Sequence, residues 1–204
     1  MNRLLFCLTL LIAFSRSPAQ AQGTFQNLDF EAAQILPGGF PSNSVPGWSA
    51  FSGTNQLTTI YYNYALSLPI VGLWGSNSLV ISGNFTLDLS QTGSVSQVGF
   101  VPADTQSLFF KSVNADPAKL VVSLGGESLL YAPISSGANY TLYGVNISQY
   151  AGQTAELKFL APGLAGAKID DIEFSSQAIP EPTVFLLILL GSGILLCGRR
   201  YSVG

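Results

Sequence analysis

From residue 22 to residue 178 apolar and polar positions alternate in short runs. Clear cases are Ser78–Ile81, Phe85–Leu89, Leu108–Val113, Lys119–Leu124, Ser128–Tyr131, Tyr140–Tyr143, Ala155–Phe159 and Ile169–Phe174. A period of two sends successive side chains to opposite faces, which predicts half-buried strands rather than helices. Pro37-Gly38-Gly39, Ser82-Gly83-Asn84, Gly125-Gly126, Ser136-Gly137 and Pro162-Gly163 punctuate the runs and read as turns. The stretches from Pro37 to Pro46 and from Asn63 to Pro69 read as long loops. No helical period appears before the C-terminal tail. Short, evenly spaced strands with Gly and Pro turns predict an all-β protein with a single β-sandwich over residues 22–178.

Both ends break this pattern. At the N-terminus Arg3 precedes an apolar stretch from Leu4 to Phe14, and Ala19-Gln20-Ala21 supplies a small-residue cleavage context. Residues 1–21 therefore read as a signal peptide. Residues 179–204 hold Pro180-Glu181-Pro182, an uncharged apolar run from Thr183 to Gly198, and then Arg199-Arg200. The prolines bar regular pairing and leave an extended, accessible segment. As a helix, 183–198 would reach about 24 Å, enough for a transmembrane helix with snorkelling arginines, and the arginine pair would stay on the cytoplasmic side. The tail resembles the PEP-CTERM sorting signal of exopolysaccharide-producing bacteria, which joins a Pro-Glu-Pro motif, one hydrophobic helix and a terminal basic cluster. The resemblance implies an exosortase-type sorting enzyme as partner. It also implies an inner-membrane-anchored precursor, and a processed protein at the cell surface or in the extracellular matrix.

Composition narrows the chemistry of the middle. Four lysines against ten carboxylates leave residues 22–178 at a formal −6, so nothing favours nucleic acid or an anionic surface. The chain has no His, and its two cysteines, Cys7 and Cys197, lie in the terminal segments. His- or Cys-based nucleophilic catalysis and a zinc site of the usual ligands are thereby excluded from the domain. A pair of carboxylates remains the one common catalytic option.

Asn27-Leu28-Asp29-Phe30-Glu31, Pro46-Gly47-Trp48, the segment Val145–Thr154 and Ile169-Asp170-Asp171-Ile172-Glu173-Phe174 together resemble galactose-binding-like jelly rolls and carbohydrate-binding modules. The resemblance implies a jelly roll whose opening and closing strands lie close together, with a structural Ca²⁺ nearby. Period two places Asp170 on the face of Ile172 and Phe174, the expected core face, where a lone carboxylate needs a cation or several N–H donors. Glu31 on the expected opening strand is the second candidate calcium ligand. The alternative is an Asp170 at the strand end, bonded to backbone amides or facing solvent, with Asp171 and Glu173 solvated.

Trp74, Tyr61, Tyr62 and Tyr64 cluster around the expected long loops and are candidate ligand-binding residues, since sugars stack on such rings. Core packing is the competing account for Trp74 and the favoured one for Trp48. Two functions remain open. One is a non-catalytic surface or matrix protein that binds carbohydrate such as exopolysaccharide. The other is a carboxylate-dependent glycosidase or polysaccharide lyase, which needs two acids in one cleft.

Overall fold

The computed structural model describes residues 24–35, 45–63, 70–75 and 79–179. The signal peptide, the helix 183–198, the motif Pro180-Glu181-Pro182, the pair Arg199-Arg200, and Tyr64 all lie outside the described residues.

The described chain is a β-sandwich of two sheets. The strands are β1 (Ser49–Ser52), β2 (Asn55–Gln56), β3 (Tyr61–Tyr62), β4 (Val71–Gly75), β5 (Phe85–Leu89), β6 (Gly93–Phe100) and β7 (Ser107–Val113). They continue with β8 (Val121–Leu124), β9 (Glu127–Ser128), β10 (Ala132–Ser136), β11 (Thr141–Asn146), β12 (Thr154–Leu160) and β13 (Ala167–Ser175). One sheet runs β2-β1-β6-β12-β8-β9 and the other β10-β11-β7-β13-β5-β4-β3. Every pairing is antiparallel except β3 with β4. A 3-10 turn at Ser148–Tyr150 precedes β12.

The inward positions of both sheets form one core. Leu87 and Leu89 on β5, Leu108 and Phe110 on β7, Val122 and Leu124 on β8, and Leu157 and Phe159 on β12 are buried within it. Phe110 is its aromatic hub, with the rings of Tyr131, Tyr143 and Phe159 at 5.2, 5.5 and 5.6 Å. The two tyrosine hydroxyls leave the core polar-end first, donating to the carbonyls of Leu120 and Ala115. Such rings contribute area and orientation together.

Several strand expectations need correction. Ser78–Ile81 is not a strand where it is described; Leu79–Ile81 belongs to a loop that folds over the sheet. Ser128–Tyr131 contributes Ser128 alone, and the strand expected from Lys119 begins at Val121. β6 carries no clean alternation, although it lies inside its sheet between β1 and β12. Ser94 and Ser96 face outward yet are buried, Gln97 binds the chain beside it, and Gly99 is small because the Phe25 ring lies against it.

The opening segment 24–35 is a series of turns, not a strand, so Glu31 is not a strand residue. The segment nevertheless buries Phe25, Leu28 and Phe30. It does lie beside the closing strand: Ile172 N–H donates to Leu28 O at 2.9 Å, and Phe25 stacks on Phe174 at 4.7 Å. Trp48 packs as expected. It is buried against Phe30 and Phe159, and its indole N–H donates to Asn27 O at 3.0 Å.

Candidate functional site

Asp170 is fully buried, but not in the core. It pairs with Lys111 and Glu173 pairs with Phe109, so β13 advances three residues while β7 advances two. This β-bulge, with Asp171 at φ 42°, resets the alternation. Ile169 before it and Ile172 and Phe174 after it face the core, while Asp170 faces outward. The expected core-face placement fails because strict period two ignores the extra residue. Burial comes from the loop before β5 instead. Thr86 Oγ1 accepts from Ile81 N–H at 2.8 Å and donates to Asp170 Oδ2 at 2.5 Å. Ser82 N–H donates to the same oxygen and Asp171 N–H to Oδ1. Glu31 grips the next residues, accepting from Asn84 N, Asn84 Nδ2 and Phe85 N at 2.7, 2.8 and 2.9 Å. The two candidate calcium ligands thus meet at one short segment, 82–86, and there they face N–H and O–H donors. No group of three or more metal-binding side chains occurs among the described residues.

The same outward face holds the aromatic candidates. Leu73 is in the core, so its neighbours Gly72 and Trp74 face outward. The parallel register Tyr61↔Gly72 and Tyr62↔Leu73 sends Tyr61 outward and Tyr62 inward. Tyr61 is accordingly 50% exposed, whereas Tyr62 packs against the core with its ring 6.3 Å from Phe85. Trp74 is half-buried, and its indole N–H donates to Asp88 Oδ2 at 2.7 Å. Gly72, without a side chain, stands in register between Tyr61 and Asp88. The structure therefore brings together Tyr61, Trp74 and Asp88, and removes Tyr62 from the site.

Asp88 and Lys168 were not singled out from the sequence, although Thr86 and Asp88 alternating with Leu87 and Leu89 already place a carboxylate on the outward face. Lys168 pairs in register with Asp88. Both line a cavity of about 300 Å³ with Ser90, Asn114, Lys119 and Gly166. Burial pushes the Asp88 carboxyl up; the Trp74 bond and the Lys168 charge pull it back down. This cavity contains one carboxylate. A groove of about 400 Å³ on the other sheet also contains one, Glu156. Neither supplies the acid pair that glycoside hydrolysis requires.

No family model and no curated protein matches the chain. Among solved structures, a carbohydrate-binding module, TmCBM61 in complex with β-1,4-galactotriose, has a similar fold, with a TM-score of 0.50 at 14% identity. The match covers 77% of this chain and 100% of that one. The described domain therefore has the jelly-roll sandwich fold of a carbohydrate-binding module.

Burial also perturbs Asp170. Desolvation pushes its carboxyl from 3.8 up to about 7, while the bonds from Thr86, Asp171 and Ser82 pull the other way. A carboxyl that holds its proton more tightly when folded adds stability that is complete below the unfolded value. That contribution is lost as pH rises through about 7. We expect the melting temperature of the native protein, relative to Asp170→Asn, to fall between about pH 4 and pH 7 and then level off. A difference independent of pH would mean that the three donors keep the anion throughout.

Proposed function

We propose that this is an exported, non-catalytic protein whose sandwich binds carbohydrate at the Tyr61–Trp74–Asp88 face. The observation that carries the reading is the pairing of an exposed tyrosine with a tryptophan fixed in orientation by a carboxylate on a sheet face. A fixed indole presents a ring without further loss of rotamer freedom, and the second oxygen of Asp88 can accept a sugar hydroxyl. The fold likeness to a module solved with β-1,4-galactotriose makes neutral β-linked galactan the first probe. The domain's negative charge argues against strongly anionic polymers. In affinity electrophoresis with galactan and other neutral polysaccharides, we expect the native chain to be retarded. Tyr61→Ala should weaken binding by about tenfold, the scale of one lost ring contact. Equal retardation of both proteins would remove this face from the site. Turnover of the polymer would revive the glycosidase or lyase reading.

The tail supports export and sorting through Pro180-Glu181-Pro182, Thr183–Gly198 and Arg199-Arg200. In this reading an exosortase-type enzyme handles the tail and releases the domain from the inner membrane to the surface or matrix. A plain anchor needs only apolar length and the arginines. If the motif is a sorting signal, the native chain should lose its tail and leave the inner membrane, whereas replacing Pro180-Glu181-Pro182 with Ala-Gln-Ala should leave a full-length protein there. Unchanged size and location on a blot of fractionated cells would reduce the tail to an anchor.

A second reading adds a structural Ca²⁺ held by Glu31 and Asp170. It is favoured by the complete burial of Asp170 and by the convergence of both carboxylates on residues 82–86. Calcium would there replace N–H donors as the counter-charge and tie the opening segment to β13. A ligand bound only by the folded state raises its stability. Chelation should then lower the melting temperature of the native protein but not of Asp170→Ala. An unchanged melting temperature in metal-free buffer would leave the amide clamp as the whole arrangement.

A further inference from the structure

The outer face of the six-stranded sheet holds the groove of about 400 Å³, on the opposite side of the sandwich from Tyr61 and Trp74. Its floor is Ser96 and Val98 of β6, flanked by Ser49 and Phe51 of β1 and by Glu156 of β12. Its end wall is the opening segment, which is fastened to β6. Gln97 accepts from Gln26 N and donates to Gln26 O, and Thr24 Oγ1 accepts from Phe100 N at 2.6 Å. Gly47, at φ 87°, closes against Gln26. The walls are thus set before any ligand arrives, which lowers the ordering cost of binding.

The lining selects the occupant. It offers hydroxyls and an amide, the Phe51 ring, and Val98, which is 66% exposed. Its one charge, Glu156, is exposed and in no ion pair among the described residues. A single carboxylate repels anionic polymers and is too little to hold a basic peptide. The floor strands are interior to the sheet, with their backbone groups already paired, so a peptide could not add itself as a strand. A neutral, hydroxyl-rich chain with apolar C–H faces meets all of these demands.

We propose that this groove is a second glycan site, so that one domain holds two neutral polysaccharide chains on opposite faces and cross-links them. The proposal takes its ligand class from the carbohydrate-binding reading above, but its residues are separate. The test uses galactotriose for stoichiometry and soluble galactan for cross-linking. Titration calorimetry should give two sites per native chain, and only one site of native strength each for Tyr61→Ala and for Phe51→Ala, the other weakened by about tenfold. Glu156→Gln, an exposed change that leaves the core untouched, should weaken only the second site, by about tenfold. Native protein should render galactan turbid, while each one-site variant binds without turbidity. One site in the native chain, with Phe51→Ala and Glu156→Gln unchanged, would overturn the second site and leave the first standing. Binding of oligolysine in place of sugar, abolished by Glu156→Gln, would overturn its ligand class. No sugar bound at either face would sink both readings.

Discussion

Between Asp170 and Glu173 the closing strand advances one residue more than its partner β7, with Asp171 in the left-handed region. Three consequences follow from that extra residue. Ile172 and Phe174 turn into the core on the phase set by Ile169. Ile172 N–H is freed from the sheet ladder to reach Leu28 O, which seats the opening segment. Asp170 turns outward, where it ties Ser82 and Thr86 to β13. A buried carboxylate without partners would be costly, so the loop before β5 and the bulge support each other. Glu31 adds the opening segment to the same assembly through Asn84 and Phe85. Three chain segments far apart in sequence are thereby held at one end of the seven-stranded sheet.

This arrangement bears on the proposed binding face because β5 carries both Thr86, inside the clamp, and Asp88, beside Trp74. A strand fixed at one end presents Asp88 and the indole it holds as a rigid pair. The other sheet reaches the same result differently. The Gln97 side-chain amide fastens the opening segment alongside β6, bonding both the N–H and the carbonyl of Gln26, so the groove wall is held by side-chain-to-backbone hydrogen bonds. Sites on strands keep their geometry better than sites on free loops, and both candidate sites here are largely of that kind.

Much of the strand content was legible because Leu, Val, Ile and Phe alternate with polar residues wherever one face of a strand meets the core. β5 and β12 follow that rule, and β13 follows it on each side of its bulge. β6 did not announce itself: Ser94 and Ser96 are buried on its outer side, and Gln97 and Gly99 are chosen for the chain beside them. Hydrophobicity records burial against the core and is silent about burial by a neighbouring loop. The same limit applies to Asp170. The pattern left both a core-facing and a solvent-facing Asp170 open, and the buried outward position was neither, because one inserted residue inverts every later position. The separation of Tyr61 from Tyr62 likewise depends on pairing with β4.

The sequence alone determined the class of the molecule: a sandwich without His or Cys chemistry in its domain, carrying a net negative charge. These are properties of composition and local period, which need no knowledge of partners in space. Tertiary structure alone decided which polar groups meet. Asp88 with Trp74, Glu31 with Asn84, and Gln97 with Gln26 are separated by 14, 53 and 71 residues. A hydrogen bond has a fixed reach of about 3 Å, and only the completed pairing of strands brings such groups within it.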